Sequence, residues 1–334
     1  MKRVIKSISV LVIALLLAGM FTGCSGTEKA AKTSSDPATK GSVQMKVGTS
    51  KSPQAMIPYF YQQFLPEKYS SEVIYFSSIS DSVNALMAGT LDATSCSMVN
   101  VISAASKGQP VVVLCGICNK CSALVAGVNS GIESEKDLKG KKIGYLPASA
   151  HHLLLLDVLR RNGLTQDDVT LVRLERETAN DALKNGDIDA FMIGEPRPSQ
   201  AVAGGYGKII SYPYFDDSVG TINAVMITTK ENAEKNKDMI QDMVTAHCEA
   251  TDYCNANVDV WQEKAAAELG FDPKVLKIAQ SNTEIFYDIT PEYIQQTKNL
   301  AQQMLDLKMI TQIPNIEAMF DLSFLEEAEK EIKN

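Results

Sequence analysis

Histidine is scarce in this chain. Among 334 residues there are three, His151, His152 and His247, so any imidazole-based catalytic set would have to draw on them. No GxSxG segment occurs, which excludes the nucleophile elbow of an α/β-hydrolase, and no HExxH segment, which excludes the zinc-protease helix. No GxxxxGK[ST] run occurs, so the chain has no phosphate cradle of the P-loop kind. Basic side chains are in deficit, 32 Lys and Arg against 40 Asp and Glu, a net of −8. Three of the bases, Lys2, Arg3 and Lys6, sit in an acid-free start; without them the count is 29 against 40, a net of −11. That balance argues against nucleic acid or an anionic membrane surface as the main partner. It leaves open a local positive site for a small ligand. The apolar run at residues 10–17 is too short for a membrane-spanning helix.

What stands at the N-terminus reads as an export signal. The basic start precedes the 10–17 run, and the run ends at Phe21-Thr22-Gly23-Cys24. Small residues before a cysteine resemble a bacterial lipoprotein cleavage box, with Cys24 as the lipidated residue; Phe21 departs from the usual aliphatic residue there. Simple secretion with cleavage elsewhere is the alternative. Residues 25–42 hold no large apolar side chain and cannot bury surface, so a flexible tether is expected over 24–44 after a signal at 1–23. Together these place the folded part at the outer face of a cytoplasmic membrane, held by lipid.

The remaining length suffices for two domains. With 45% apolar and 22% charged residues it is ordinary globular sequence. Strand patterns at 45–49, 72–77, 92–96 and 110–115 alternate with helical patterns at 53–64, 81–88 and 98–106. Residues 122–128 read as a further strand. The alternation then restarts, with strands at 142–146, 169–174 and 189–193 and helices at 134–139, 179–184 and from 196. A return strand is predicted at 222–228. Beyond 230 the periodicity is helical, at 239–244, 258–269, 291–307 and 315–333. Strands alternating with helices predict a mostly parallel sheet covered on both faces.

One stretch organises the second half: KKIGYLPASAHHLLLLDVLRRNG, residues 141–163. It reads as strand, loop and helix, with Ser149 as N-cap and His151 and His152 in the first turn. A helix start after a strand is a seat for an anion or a polar oxygen. A second feature is a repeat. Gly-Thr-Leu-Asp-Ala at 89–93 and Gly-Asp-Ile-Asp-Ala at 186–190 share G-x-[LI]-D-A. Each joins a helix to a strand that runs to a polar turn, Ser95-Cys96-Ser97 in one case and Gly194-Glu195-Pro196 in the other. Read sharply, these are two lobes of one design with strand ends facing across a cleft. Read blandly, they are two ordinary connections.

The runs ALMAGTLDA (85–93), SKGQPVVVL (106–114), GIESEKDLKGKKIG (131–144), SAHHLLL (149–155), NGDIDAFMIGEP (185–196) and ITPEYIQQTKNLAQQMLDLKMI (289–310) carry a resemblance. In order and spacing, residues 45–322 resemble the substrate-binding lipoproteins of ABC importers for nitrate, sulfonates, taurine and thiamine-pyrimidine precursors. The resemblance implies an α/β fold of the type II periplasmic-binding-protein kind. Two lobes, residues 45–125 with 226–334 and residues 126–225, would be joined by crossovers near 123–128 and 224–228. It implies no cofactor and no catalysis, a small-molecule ligand, permease subunits and the membrane through Cys24 as partners, and a monomer. Ligand contacts would fall at Ser50, Ser52 and Gln54, at Cys96 and Ser97, at Ser149 and His151, and at Glu195 and Pro196. Ser149 could equally only cap its helix. His152 is expected to pack or face solvent. A Glu195 facing the cleft would favour a ligand with a cation or N–H donors, hence a zwitterion or polar heterocycle over a plain inorganic anion.

The chain departs from that family at Cys115-Gly-Ile-Cys118-Asn-Lys-Cys121. CxxCxxC spacing is open to three readings: structural thiols or a disulfide, thiols lining the cleft with Cys118 and Asn119 as contacts, or a metal or cluster site with Cys115, Cys118 and Cys121 as ligands. Two further functions stay beside the transport reading: a metal or redox sensor built on these thiols, and an exported enzyme.

Overall fold

The computed structural model describes residues 34–35, 42–215 and 219–333. The expected signal peptide, Cys24 and most of the tether lie outside the described residues. Two sheets carry the fold. The first holds seven strands: Ser34–Ser35 (β1), Val43–Ser50 (β2), Tyr69–Phe76 (β3), Ala93–Ser97 (β4), Val111–Lys120 (β5), Ile222–Thr229 (β11) and Thr283–Ile285 (β12). Their spatial order is β1-β3-β2-β4-β11-β5-β12. The second holds Ser122–Gly127 (β6), Lys142–Tyr145 (β7), Thr170–Arg173 (β8), Ala190–Gly194 (β9) and Gly207–Ser211 (β10) in the order β10-β6-β9-β7-β8. In the first sheet β2 lies parallel between β3 and β4; in the second β7 lies parallel between β8 and β9. The chain therefore reverses its direction of travel across each sheet at the carboxyl ends of β2 and β7. Open α/β sheets form their ligand crevices at such points.

The G-x-[LI]-D-A repeat has a physical reason in both sheets. Gly89 and Gly186 adopt φ of 70° and 78°, a left-handed helix exit that glycine makes without a Cβ penalty. They end the helices Ile79–Met87 (α1) and Ala179–Asn185 (α4). Leu91 and Ile188 bury under them. Asp92 then clips Lys46 of β2 with both its backbone N–H (2.8 Å to Lys46 O) and its carboxylate (2.7 Å from Lys46 N). Asp189 clips Lys142 of β7 the same way, at 2.8 Å and 2.8 Å. Each aspartate fixes the register of two parallel strands, and so aims both strand ends at one cleft.

Most predicted elements stand near their predicted bounds: Met98–Ser106 (α2), Ala150–Arg161 (α3), Arg197–Ala203 (α5), Val258–Leu269 (α8) and Pro291–Asp306 (α10) among them. The expected helix at 53–64 is instead two 3-10 turns, Pro53–Ala55 and Ile57–Gln63. Pro58 has no N–H to give an α ladder, which breaks the run. β5 runs five residues past its predicted end and absorbs the cysteine run. It is paired with β11 on one side and β12 on the other, and tertiary pairing outweighs the polar tail of its sequence. Gly116 is required within it, since a Cβ there would meet the Phe286 ring at 2.6 Å.

The sheets exchange the chain at Lys120 and Cys121, and again between Ser211 and Ile222, rather than inside 123–128 and 224–228. Lys120 and Cys121 both stand left-handed, φ 64° and 71°. That conformation costs about 1–2 kcal/mol per non-glycine residue. Neighbouring chain offsets it: Lys120 N donates to Thr221 O (3.0 Å), Cys121 N to Asn282 O (2.7 Å), and Asn223 Nδ2 to Lys120 O (2.6 Å). The segment Pro273–Gln280 (α9) packs on α5 of the second sheet before β12 rejoins the first, so residues after 226 do not all stay with the first sheet. Lys230–Lys235 (α6), Lys237–Ala256 (α7) and Ser323–Lys333 (α11) cover the first sheet, α7 packed by α11. In α7, His247 is fully buried: its Nδ1 lies 2.8 Å from Tyr61 Oη and its Nε2 2.8 Å from Gly116 O. A carbonyl only accepts, so Nε2 carries the proton and Nδ1 accepts from the tyrosine hydroxyl.

Candidate functional site

A cavity of about 70 Å³ opens between the two sheets at the carboxyl ends of their strands. From the first sheet it is lined by Ser50, Ser52 and Gln54 after β2, Cys96 and Ser97 at the end of β4, and Cys118 on β5. Ser149 and His151 line it from the start of α3. Three predicted contacts stand elsewhere. Asn119 points its amide toward Glu284 Oε2 (3.4 Å) across the β5–β12 pair. Pro196 does not line the cavity, and Glu195 is 1% exposed, accepting from Asn282 Nδ2 (3.0 Å) and Ser199 N (3.2 Å). Its carboxylate clamps the passage between the sheets, and burial raises its pKa above the usual range. The argument from Glu195 for a cationic ligand therefore loses its footing.

Sequence reasoning missed Arg176, Asn100 and Asn223, which also line the cavity. Arg176 follows the end of β8, and the rule that ligands gather at strand carboxyl ends would have found it. Its half-buried guanidinium makes no hydrogen bond or ion pair among the described residues. Burial lowers its pKa, yet arginine stays charged in proteins. Around it three helix starts converge. Ser97 Oγ accepts from Asn100 N (3.3 Å) and opens α2; Ser149 Oγ accepts from His152 N (3.2 Å) and opens α3. Ser78 Oγ accepts from Asp81 N (3.4 Å) and opens α1, whose Ile79 also lines the cavity. A cation and three positive helix ends in one cleft hold negative charge.

Two buried atoms lining the cavity lack partners: His151 Nδ1 and Gln54 Oε1. Burial, with the Arg176 charge, pushes the His151 pKa down to about 3, so the ring is neutral. Gly194 makes room for it, because a Cβ there would lie 2.7 Å from His151 Nε2. His152 packs on Tyr145, ring centroids 4.7 Å apart.

Strand geometry sets Cys115 apart, while the Cys118 and Cys121 thiols adjoin each other. Alternate residues of a strand face opposite ways, and Cys115 lies by Tyr61 and Cys248 while Cys118 lines the cleft. Cys121 sits at the left-handed break, its Sγ donating to Asn119 O (3.0 Å). The six cysteines among the described residues are free and buried. Among the described residues no three His, Cys, Asp or Glu side chains gather as a metal site.

The two buried histidines set an acid limit. The folded pKa of His247 is lowered to about 4 and that of His151 to about 3, by burial first, against an ordinary 6.5. Lowered values mean that the unfolded chain binds protons first. The stability of the neutral rings is complete above pH 6.5 and declines as pH falls toward 4. The expected slope is about 1.4 kcal/mol per pH unit per histidine. Urea unfolding between pH 7 and 4 should show it, and a His151→Gln variant with an unchanged slope would contradict the assignment.

The chain belongs to the family described as NMT1/THI5 like, whose model matches residues 72–259. It is 27% identical over 212 residues to a putative aliphatic sulfonates-binding protein of Escherichia coli, covering 62% of this chain and 65% of that one, so this alignment spans just under two thirds of the relative. It is 28% identical over 319 residues to a putative ABC transporter periplasmic binding protein of Brachyspira hyodysenteriae, covering 88% of each chain. Its fold matches the alkanesulfonate-binding protein SsuA of Xanthomonas axonopodis pv. citri, solved with MOPS bound, at a TM-score of 0.74 and 18% identity over 87% of this chain and all of that one. The fold is that of a type II periplasmic binding protein, with two α/β lobes.

Proposed function

We propose that this protein is the extracytoplasmic solute-binding component of an ABC importer, capturing a small organic anion of the sulfonate class. The observation that carries the reading is Arg176. Its guanidinium makes no hydrogen bond or ion pair among the described residues and is set among three helix starts, in a cleft between two lobes that the chain joins at Cys121 and beyond Ser211. The names of the relatives point the same way. The lobes, residues 45–125 with most of 226–334 and residues 126–225, close on the ligand by rotation at these passages. The closed form is handed to permease subunits. Lipidated Cys24 holds a monomer at the outer face of the cytoplasmic membrane. The ligand leaves unchanged: the one imidazole lining the cavity stays neutral, and burial raises the Cys96 thiol well above its usual pKa, away from nucleophilic thiolate.

Calorimetric titration of the purified mature protein with ethanesulfonate, taurine, nitrate and an aminopyrimidine tests this, with mass spectrometry of each compound afterwards. Saturable binding of a sulfonate recovered intact supports the proposal. Silence toward all four, or a chemically altered ligand, sinks it.

A further inference from the structure

The 70 Å³ cavity is an inner room with an antechamber. A second hollow of about 230 Å³ adjoins it and shares Ile79, Asn100, Ser149 and Arg176 as a common wall. The antechamber is walled by Ser77 and Ser78 at the start of α1, by the Pro147–Ala148 turn, and by Arg173 and Glu175 after β8. Its character is set by Arg173, whose guanidinium, like that of Arg176, makes no hydrogen bond or ion pair among the described residues. It is also set by α1, a nine-residue helix whose first turn opens on it. Three acids stand against this: Glu175 on the same rim, Asp81 in the first turn of α1, and Glu177, whose charge acts on Arg176 together with that of Arg197. Three guanidinium groups, Arg173, Arg176 and Arg197, with the starts of α1 and α3 outweigh them. The inner room is too small for more than the head of a ligand, and two buried atoms that line it, His151 Nδ1 and Gln54 Oε1, have no hydrogen-bond partner among the described residues.

Resting on the transport reading above, we infer that the ligand carries two separated anionic groups. One sits in the inner room against Arg176 and the starts of α2 and α3. The other sits in the antechamber against Arg173 and the start of α1. A short carbon spacer crosses the wall formed by Ile79 and Asn100. The ligand class is a sulfonate or comparable acid bearing a second acid group at its far end, not a simple alkyl- or aminoalkylsulfonate.

Calorimetry with three probes of related length tests this. Ethanesulfonate has one anionic group, 3-sulfopropanoate has two, and 3-aminopropanesulfonate has a cation at the far end. The expected result is 3-sulfopropanoate bound about tenfold or more tighter than either other probe at low ionic strength. Arg173→Gln should cost 3-sulfopropanoate about tenfold and ethanesulfonate about threefold or less. Arg173 is exposed, so the variant should fold as the parent does. Equal affinity for ethanesulfonate and 3-sulfopropanoate overturns the inference and leaves the transport reading standing. So does tighter binding of 3-aminopropanesulfonate, which would make Glu175 the antechamber's reader. Failure of all three probes to bind overturns both.

Discussion

Arg176→Ala is expected to weaken binding of ethanesulfonate by about 10–150-fold. The guanidinium lines both hollows and makes no hydrogen bond or ion pair among the described residues, so its donors are open to a ligand. A hydrogen bond to a charged group is worth about 1.5–3 kcal/mol net, which converts to that range of affinity. Only a small effect on the fold is expected, because the guanidinium holds no hydrogen-bond or ion-pair partner among the described residues. Arg176→Lys should recover part of the loss, since a point charge replaces the fork without its two-pronged geometry. Calorimetry and a thermal melt of the same preparations decide it. Unchanged affinity in a folded Arg176→Ala protein would move the anion seat away from this residue.

The largest expected stability effect lies under α7. His247→Ala should cost about 3–5 kcal/mol, measured by urea unfolding at neutral pH. Three losses add. A cavity opens under α7 where the ring was, the Tyr61 hydroxyl loses its acceptor, and Gly116 O loses its donor, all at fully buried positions. Tyr61→Phe isolates one of these. It leaves Nδ1 unpaired while filling the same space, so about 1–3 kcal/mol is expected. Costs below 1 kcal/mol for both variants would mean that water enters and replaces the lost partners.

The sequence carried the alternation of strands and helices, because in α/β lobes the apolar period and the Gly and Asp punctuation are local. The paired G-x-[LI]-D-A segments are the clearest case, as the aspartate of each performs the same clip in its own sheet. Eight of the expected contacts line the cavity because strand ends and helix caps can be placed from local pattern. Glu195 was misread because the direction of its carboxylate depends on Asn282, 87 residues away in sequence. The spacing of Cys115 and Cys118 suggests one cluster, but the strand extends through both, and an offset of three sends them to opposite faces. Arg176 was passed over because it sits in a short 3-10 turn with no motif around it. Its place after β8 was legible, but the convergence of α1, α2 and α3 beside it is seen only in the folded chain.

The buried thiols have a practical corollary. A surface without reactive cysteine is usually made by substitution, but the described part of this molecule already buries all six of its thiols. Only Cys96 and Cys118 border the cleft. A small thiol reagent can reach them only through the mouth that a ligand would use. The native protein thus carries its own occupancy gauge: the rate at which these two sulfurs are alkylated reports how often the cleft stands open and empty, with no label introduced.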